Sequence, residues 1–174
     1  MGNERLTITA NARSLGVVLD DNMLFDGHVS DICRSSFNQL SNLSKITKYL
    51  TKEPSEIAVH AFITSKLDYC NFFLYICRKM QLKKLQYVKN TAARIVTQTR
   101  KFDHITPLLI DLHWLPVSYR IVFKILLLLF KWLNNLSPSY LADRVSYKSH
   151  SRNLRSASKQ LLEQPRSFIK TYGG

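Results

Sequence analysis

An adjacent pair of carboxylates, Asp20 and Asp21, directly follows the hydrophobic residues Val18 and Leu19. Carboxylates at the end of a strand can hold the two metal ions that stabilise an in-line displacement, as in nucleotidyl transfer. That chemistry also needs an upstream carboxylate on a neighbouring strand, and only Glu4 precedes the pair. The sequence therefore favours a turn at this position, and we expect no catalytic residue in the chain.

Basic residues at helical spacing form the other candidate site. Between residues 79 and 99, apolar residues recur at three- and four-residue steps, and basic residues and a tyrosine lie on the opposite side. Each cation can neutralise a backbone phosphate, and the aromatic ring can stack on a sugar or a base. The sequence thus predicts a nucleic-acid-binding surface, with an ordinary solvated helix face as the alternative. Its residues are Lys79, Lys83, Tyr87 and Arg94, followed by Arg100 and Lys101.

No other spacing suits a metal ion, a nucleophile or a cofactor. His104 and His113 stand apart, and Cys77 lies too far from them for a zinc site. With only 5 glycines there is no Gly-rich phosphate loop, and no Ser or Cys sits in a Gly-flanked elbow. We therefore expect no metal site and no cofactor.

The net charge of +13 is unevenly distributed along the chain. Residues 1–75 contain 7 Lys and Arg against 8 Asp and Glu, whereas residues 76–174 contain 18 against 4. This asymmetry indicates an anionic partner for the second half, and we favour nucleic acid over a membrane surface. An odd number of cysteines, 3, without a secretory signal is typical of reduced thiols, so we expect an intracellular protein of the cytoplasm or nucleus, not a secreted one.

The apolar pattern predicts a mainly α fold, a bundle of about four longer helices with a small N-terminal β-hairpin and a disordered basic C-terminal tail. The predicted strands are Leu6–Ala10 and Leu15–Leu19, joined by a turn at Asn11–Ser14. The longer predicted helices run from Phe25 to Leu50, from Lys79 to Thr99 and from Val117 to Asn134, and another helix begins after Ser55, which is its predicted N-cap. A short helix is predicted between Pro107 and Pro116.

The most apolar helix is predicted to be central. Ile125–Phe130 is an unbroken apolar run bracketed by Lys124 and Lys131, well short of the roughly 18 residues that span a bilayer. We therefore expect no membrane anchor, and we expect this run and Trp114 to be buried in the bundle.

Three phrases occur in a fixed order between His60 and Pro116. His60–Asn71 reads HAFITSKLDYCN, Leu85–Arg94 reads LQYVKNTAAR, and the third phrase begins with HITP at His104 and ends with LHWLP at Pro116. With LGVVLD before them and RIVFK after them, they closely resemble the region after the catalytic palm in reverse transcriptases of LINE-type (non-LTR, jockey-like) retrotransposons. The resemblance covers about Ser14 to Asp143. It departs from the family after the first phrase, where Tyr75–Lys79 lacks the Gly and the Pro of the usual Tyr-Gly-Leu-Pro.

The resemblance implies three parts: a hairpin like the end of a palm or primer grip at residues 1–24, a thumb-like helical domain at 25–146, and a basic tail at 147–174. In that family the thumb holds the template–primer duplex, while palm carboxylates and magnesium perform the chemistry. It implies a non-catalytic fragment without polymerase activity of its own, whose partners are template–primer nucleic acid and the palm of a parent polymerase. Two alternatives stay open: a helical protein-interaction or structural domain, and a translated genomic relic without selected function.

Overall fold

A computed structural model describes residues 11–138 of the chain and, beyond them, Leu162 alone. The fold is mainly helical with a small antiparallel hairpin of two strands, as the sequence predicts. The described residues fall into two compact units, one ending at Ile125 and the other beginning at Leu126. The elements are β1 Asn11–Ser14, β2 Val17–Asp20, α1 Asp26–Ile46, α2 Lys52–Val59, α3 Ser65–Asp68, α4 Lys79–Thr97, α5 Ile105–Asp111 and α6 Val117–Leu133, with 3-10 turns at Thr47–Tyr49 and Asn71–Tyr75. The predicted basic tail and the predicted strand Leu6–Ala10 lie outside these residues, Leu162 excepted.

The hairpin has a different register from the predicted one. Asn11–Ser14, predicted as the turn, is strand β1, and it pairs with β2 from Asn11 opposite Asp20 to Ser14 opposite Val17. The turn is Leu15–Gly16, where φ is 47° and 82°. Two-residue hairpin loops of type I′ require positive φ at both positions, which glycine adopts without a steric cost. Gly16 therefore sets the turn, and the polar stretch before it joins the ladder.

Helices α1 and α4 form the centre of the first unit. They pack side by side and run in the same direction. Near their N-terminal ends the Gln81 side chain donates to the Asp26 carboxylate, and at their C-terminal ends the Gln98 side chain donates to the Thr47 carbonyl at 3.0 Å. Each helix buries one apolar stripe, which is the packing that its three- and four-residue periodicity predicts. The buried residues include Val29, Ile32, Leu40 and Leu43 of α1 and Leu85, Val88, Ala92 and Val96 of α4.

The second helical segment begins earlier than predicted. Its first residue is Lys52, so the predicted N-cap Ser55 lies inside the helix, where its buried hydroxyl donates to the Thr51 carbonyl at 2.8 Å. Pro54 is tolerated because it lies in the first turn, where backbone N–H groups have no helical partner. The segment continues through a π-helical stretch, His60–Thr64, into α3 and ends before Cys70, which has a positive φ of 51°.

Burial along α6 departs from the prediction. Trp114, just before the helix, is buried as expected, and α6 buries Val117 and Ile121. The prediction that Ile125–Phe130 is buried is wrong: Leu126, Leu127, Leu128 and Phe130 are 38 to 57% exposed. A helix that packs on one side buries only residues at three- and four-residue steps, and apolar residues around the rest of it stay in contact with solvent. Within residues 11–138, no helix is long and apolar enough to cross a membrane.

Candidate nucleic-acid interface

The outward side of α4 carries most of the residues predicted to bind nucleic acid. Lys79, Lys83 and Tyr87 follow one another at four-residue steps, opposite the buried stripe, and all three are exposed. The Tyr87 side chain is 54% exposed. Arg94 lies on the same side of the helix, since it follows Lys83 by 11 residues, which is about three helical turns. The structure thus brings these four positions onto one side of one helix.

Arg94 differs from the lysines because part of its guanidinium group is already engaged. Its Nη2 donates to the Asp103 carbonyl at 3.2 Å, and its Nε is buried without a hydrogen-bond partner in the described part of the chain. In the same turn the Asp103 carboxylate accepts the Arg100 backbone N–H at 2.9 Å. Arg94 therefore holds the turn that presents the exposed Arg100 and Lys101. Its own side chain is only half-exposed.

Two grooves flank the exposed side of α4. The first lies between α1 and α4, has a volume of about 430 Å³, and is lined by Cys33, Phe37, Met80, Lys83, Lys84 and Tyr87. The second lies toward α5, has a volume of about 480 Å³, and includes Lys79, Lys83, Gln86, Asn90, Ile105 and Pro116 in its lining. Lys83 lines both grooves and so stands on the ridge between them.

The lysines on the outward side of α4 form no ion pair within residues 11–138. Among residues 11–138, the ion pairs join Arg34 to Asp31, Lys52 to Asp111, and Arg120 and Lys124 to Asp68, and the His60 Nε2 lies 3.5 Å from the Glu56 carboxylate. None of these pairs uses Lys79, Lys83 or Lys84. An exposed ammonium group without an internal counterion is free to attract an external anion. The side of α4 therefore offers a row of cations next to an exposed aromatic ring.

A polar cluster around Asp68 was not predicted. Arg120 of α6 donates to the Asp68 carboxylate from Nε, at 2.6 Å, and from Nη2, and the Lys124 ammonium lies 3.6 Å from the same carboxylate. Burial works to raise the pKa of Asp68, but the hydrogen bond and charge of Arg120, with Lys124 and Lys89, hold it below its usual value. These partners are separated by 52 and 56 residues, so nothing local in the sequence signals the pair.

Lys89 belongs to the same cluster and is the most buried lysine of the described residues, at 4% exposure. Burial, with the charge of Arg120, lowers its pKa to about 8 against the opposing effect of Asp68. Its ammonium group lies 5.9 Å from the Trp114 ring centre, a cation–π distance. A signal for this burial exists in the sequence, since Lys89 lies four residues after Leu85 in the apolar stripe of α4.

Trp114 joins the three phrases of the sequence in space. Its Nε1 donates to the Glu56 carboxylate at 3.0 Å, and the His60 ring lies edge-on to it at 5.3 Å. Lys89 of the second phrase approaches the Trp114 ring of the third, and Asp68 of the first interacts with Lys89. Residues from all three phrases thus meet around Trp114, whereas Tyr87 and Arg94 of the second phrase lie on the outward side of α4.

Asp20 and Asp21 are engaged in a turn. The Asp20 carboxylate accepts the backbone N–H groups of Leu24, at 2.7 Å, and Phe25, at 3.3 Å. Asp21 is exposed and accepts a bond from Asn22 at 2.9 Å. In the part of the chain that the structure describes, no group of three or more His, Cys, Asp or Glu side chains could hold a metal ion. This arrangement suits a turn better than a two-metal site.

No protein-family model, no curated protein and no solved structure matches the chain. The ligand of this interface therefore has to be inferred from its charges, its aromatic ring and its grooves.

Proposed function

We propose that this chain is the hairpin and thumb-like portion of a LINE-type reverse transcriptase, and that it binds template–primer duplex through backbone phosphates. The observation that supports binding most directly is a row of exposed cations that form no ion pair within residues 11–138, Lys79 and Lys83, continued by Arg100 and Lys101 beyond the helix. Phosphate contacts supply most of the sequence-independent affinity of nucleic-acid-binding proteins.

Binding through this surface is sequence-independent in our proposal. Lysine ammonium groups act as point charges and lack the planar fork with which arginine reads guanine. Of the two arginines of this surface, Arg94 already donates to the Asp103 carbonyl, and Arg100 lies beyond the end of α4. The surface therefore positions a strand or duplex and does not select a base sequence.

The chain is non-catalytic in this proposal, because the family's magnesium-binding carboxylates belong to the palm. Its partners are template–primer nucleic acid and the palm of a parent polymerase. It acts inside the cell, in the cytoplasm or nucleus, where nucleic acids occur and thiols stay reduced. Free thiols at Cys33, Cys70 and Cys77 are in keeping with that compartment.

The test is the salt dependence of duplex binding, measured by fluorescence anisotropy with a labelled primer–template over a series of KCl concentrations. We expect the logarithm of the association constant to fall linearly with the logarithm of salt concentration. Lys83→Gln should reduce the slope by about one unit and weaken different duplex sequences equally. Arg94 is left unchanged, because its substitution would also disturb the turn that it holds.

A matched control separates a local contact from overall charge. Lys45→Gln removes the same charge from an exposed position on α1 and should leave the slope unchanged. Equal effects of Lys45→Gln and Lys83→Gln would show that net charge, not this surface, drives binding. A duplex affinity that changes neither with salt concentration nor with the Lys83→Gln substitution would contradict the proposal.

The second candidate function is a protein-interaction domain, and the exposed apolar residues of α6 favour it. Leu126, Phe130 and Leu133 lie on one side of that helix by their spacing and are 42 to 57% exposed. Contiguous apolar surface of this kind often marks a protein partner. If duplex binding proves independent of salt, this function should replace the first one. A relic without selected function would show neither activity.

A further inference from the structure

The groove between α1 and α4 has a mainly apolar floor. Its lining combines the Phe37 and Tyr87 rings with Met80 and Cys33, and its volume of about 430 Å³ lies within the usual range of small-molecule sites, roughly 300–1,000 Å³. Burial raises the pKa of the Cys33 thiol against the opposing charge of Lys84. The thiol is therefore neutral at physiological pH and adds no negative charge to the groove.

The two rings leave an aromatic surface open to solvent. Their centres lie 5.8 Å apart and their planes are inclined at 50°, so Phe37 supports Tyr87 without lying flat against it. Phe37 is half-buried, whereas the Tyr87 side chain is 54% exposed. Tyr87 is thus held in place by a neighbour and still has ring surface on which a planar ligand can stack.

The charges at the edge of the groove complement an anion attached to that planar ligand. Lys83 and Lys84 both line the groove, both are exposed, and neither is in an ion pair within residues 11–138. Among the described residues that line it, none is a carboxylate. A flat apolar body with a neighbouring negative charge describes a nucleotide, whose base can stack while its phosphate meets an ammonium group.

We propose that the α1–α4 groove receives an unpaired base of a nucleic-acid strand, which stacks on Tyr87 while its phosphate meets Lys83 or Lys84. This inference rests on the proposed function and narrows its ligand to a strand with unpaired nucleotides. Bases inside a duplex are stacked on one another, so a blunt duplex cannot offer a free base face without extrusion. An acidic amphipathic peptide is the competing occupant, but it would not require the aromatic ring.

The experiment compares three ligands that share one duplex: a blunt form, a form with a short single-stranded overhang, and a form whose overhang is made of abasic residues. The two overhangs carry the same phosphates, so their difference reports on the bases alone. We expect the base-containing overhang to bind about tenfold more tightly than the abasic one, in keeping with base–aromatic stacking. Tyr87→Leu should abolish that difference, whereas Tyr87→Phe should retain it.

A second readout uses the Cys33 thiol in the wall of the groove. Its rate of alkylation, followed by peptide mapping, should fall when the base-containing overhang is bound and should not change with the abasic overhang. Cys70 is half-buried and does not line the groove, so it serves as an internal control. This measurement remains informative even if Tyr87→Leu folds poorly.

The outcomes separate this inference from the proposed function. Salt-dependent binding of all three duplexes with equal affinity would overturn the base-receiving groove and leave phosphate binding intact. Absence of binding to any of them would overturn both. Protection of Cys33 by an acidic amphipathic peptide, but by no oligonucleotide, would assign the groove to a protein partner and overturn the inference.

Discussion

Burying the ammonium group of Lys89 opposes folding, because its charge leaves water for the interior of the first unit. The cluster around it offsets part of that cost: Asp68 attracts the charge, and the Trp114 ring lies within cation–π distance. Arg120 works in the opposite direction, since it repels Lys89 while it binds Asp68. The balance leaves Lys89 with a lowered pKa, which makes its contribution to stability depend on pH.

We predict that the wild-type protein gains stability relative to Lys89→Met as the pH rises from about 8 to 10.5. In this range the unfolded chain keeps a proton on Lys89 that the folded chain has released, so the free energy of unfolding rises with pH. The gain should reach up to about 3 kcal/mol, because each pKa unit corresponds to about 1.4 kcal/mol. Urea denaturation at several pH values measures it.

Lys84→Met, at an exposed position of the same helix, is the control for this prediction. The free energy of unfolding of Lys84→Met should change with pH as that of the wild type does. If the free energies of unfolding of the wild type and Lys89→Met instead changed in parallel with pH, Lys89 would be solvated in the folded state.

The elements differ in how far their own residues determine their role. Periodicity predicts α4 and α6 to within two residues at each end, and the structure places both close to those bounds. The two helices then bury different shares of their apolar residues, since α4 packs along α1 and α6 buries Val117 and Ile121. An apolar residue in α6 therefore contributes to stability according to its place in the tertiary structure.

We predict that Ile121→Ala destabilises the protein far more than Leu127→Ala, although both lie in α6. Ile121 is 3% exposed and its truncation should cost about 2–5 kcal/mol, whereas Leu127 is 38% exposed and its truncation should cost less than about 1 kcal/mol. Denaturant unfolding of both variants provides the comparison. Equal losses would mean that Leu127 is enclosed in solution, which contradicts the exposure of this side of α6.

At the scale of the whole molecule, binding and catalysis separate in our proposal. In that proposal the cations of α4 bind nucleic acid, while the adjacent carboxylates Asp20 and Asp21 accept hydrogen bonds in the turn before α1. The described residues hold no cluster of metal ligands. In the proposal, this chain holds the nucleic acid and the palm of the parent polymerase performs the chemistry.

We predict that the purified chain performs no magnesium-dependent primer extension on a primer–template. The Asp20 carboxylate accepts two backbone N–H groups, so its physical role is to stabilise the turn before α1. Extension assays with labelled primer, run beside an active polymerase, test this. Extension that disappears in Asp20→Ala would establish a catalytic role for Asp20 and would overturn the placement of this strand after the palm.

The candidate site was partly predictable from the sequence. Helical spacing alone places Lys79, Lys83, Tyr87 and Arg94 on one side of a helix, because the period of 3.6 residues is a property of the backbone. The groove beside Tyr87 was not predictable, since Phe37 comes from α1, 50 positions earlier in the chain. The partial engagement of Arg94 depends on Asp103, whose position is set by the path of the turn after α4.

The sequence by itself determined the helical class, the approximate bounds of the longer helices and the asymmetry of charge, because apolar periodicity and composition act locally. Only the tertiary structure decided which apolar residues are buried: Val117 and Ile121 have partners, whereas Leu126 and Phe130 remain largely exposed. It also decided the pairing of Asp68 with Arg120, since two side chains 52 residues apart meet only when α3 and α6 pack together. Local sequence patterns determine which secondary structure a segment can form, whereas long-range packing determines which residues each side chain contacts.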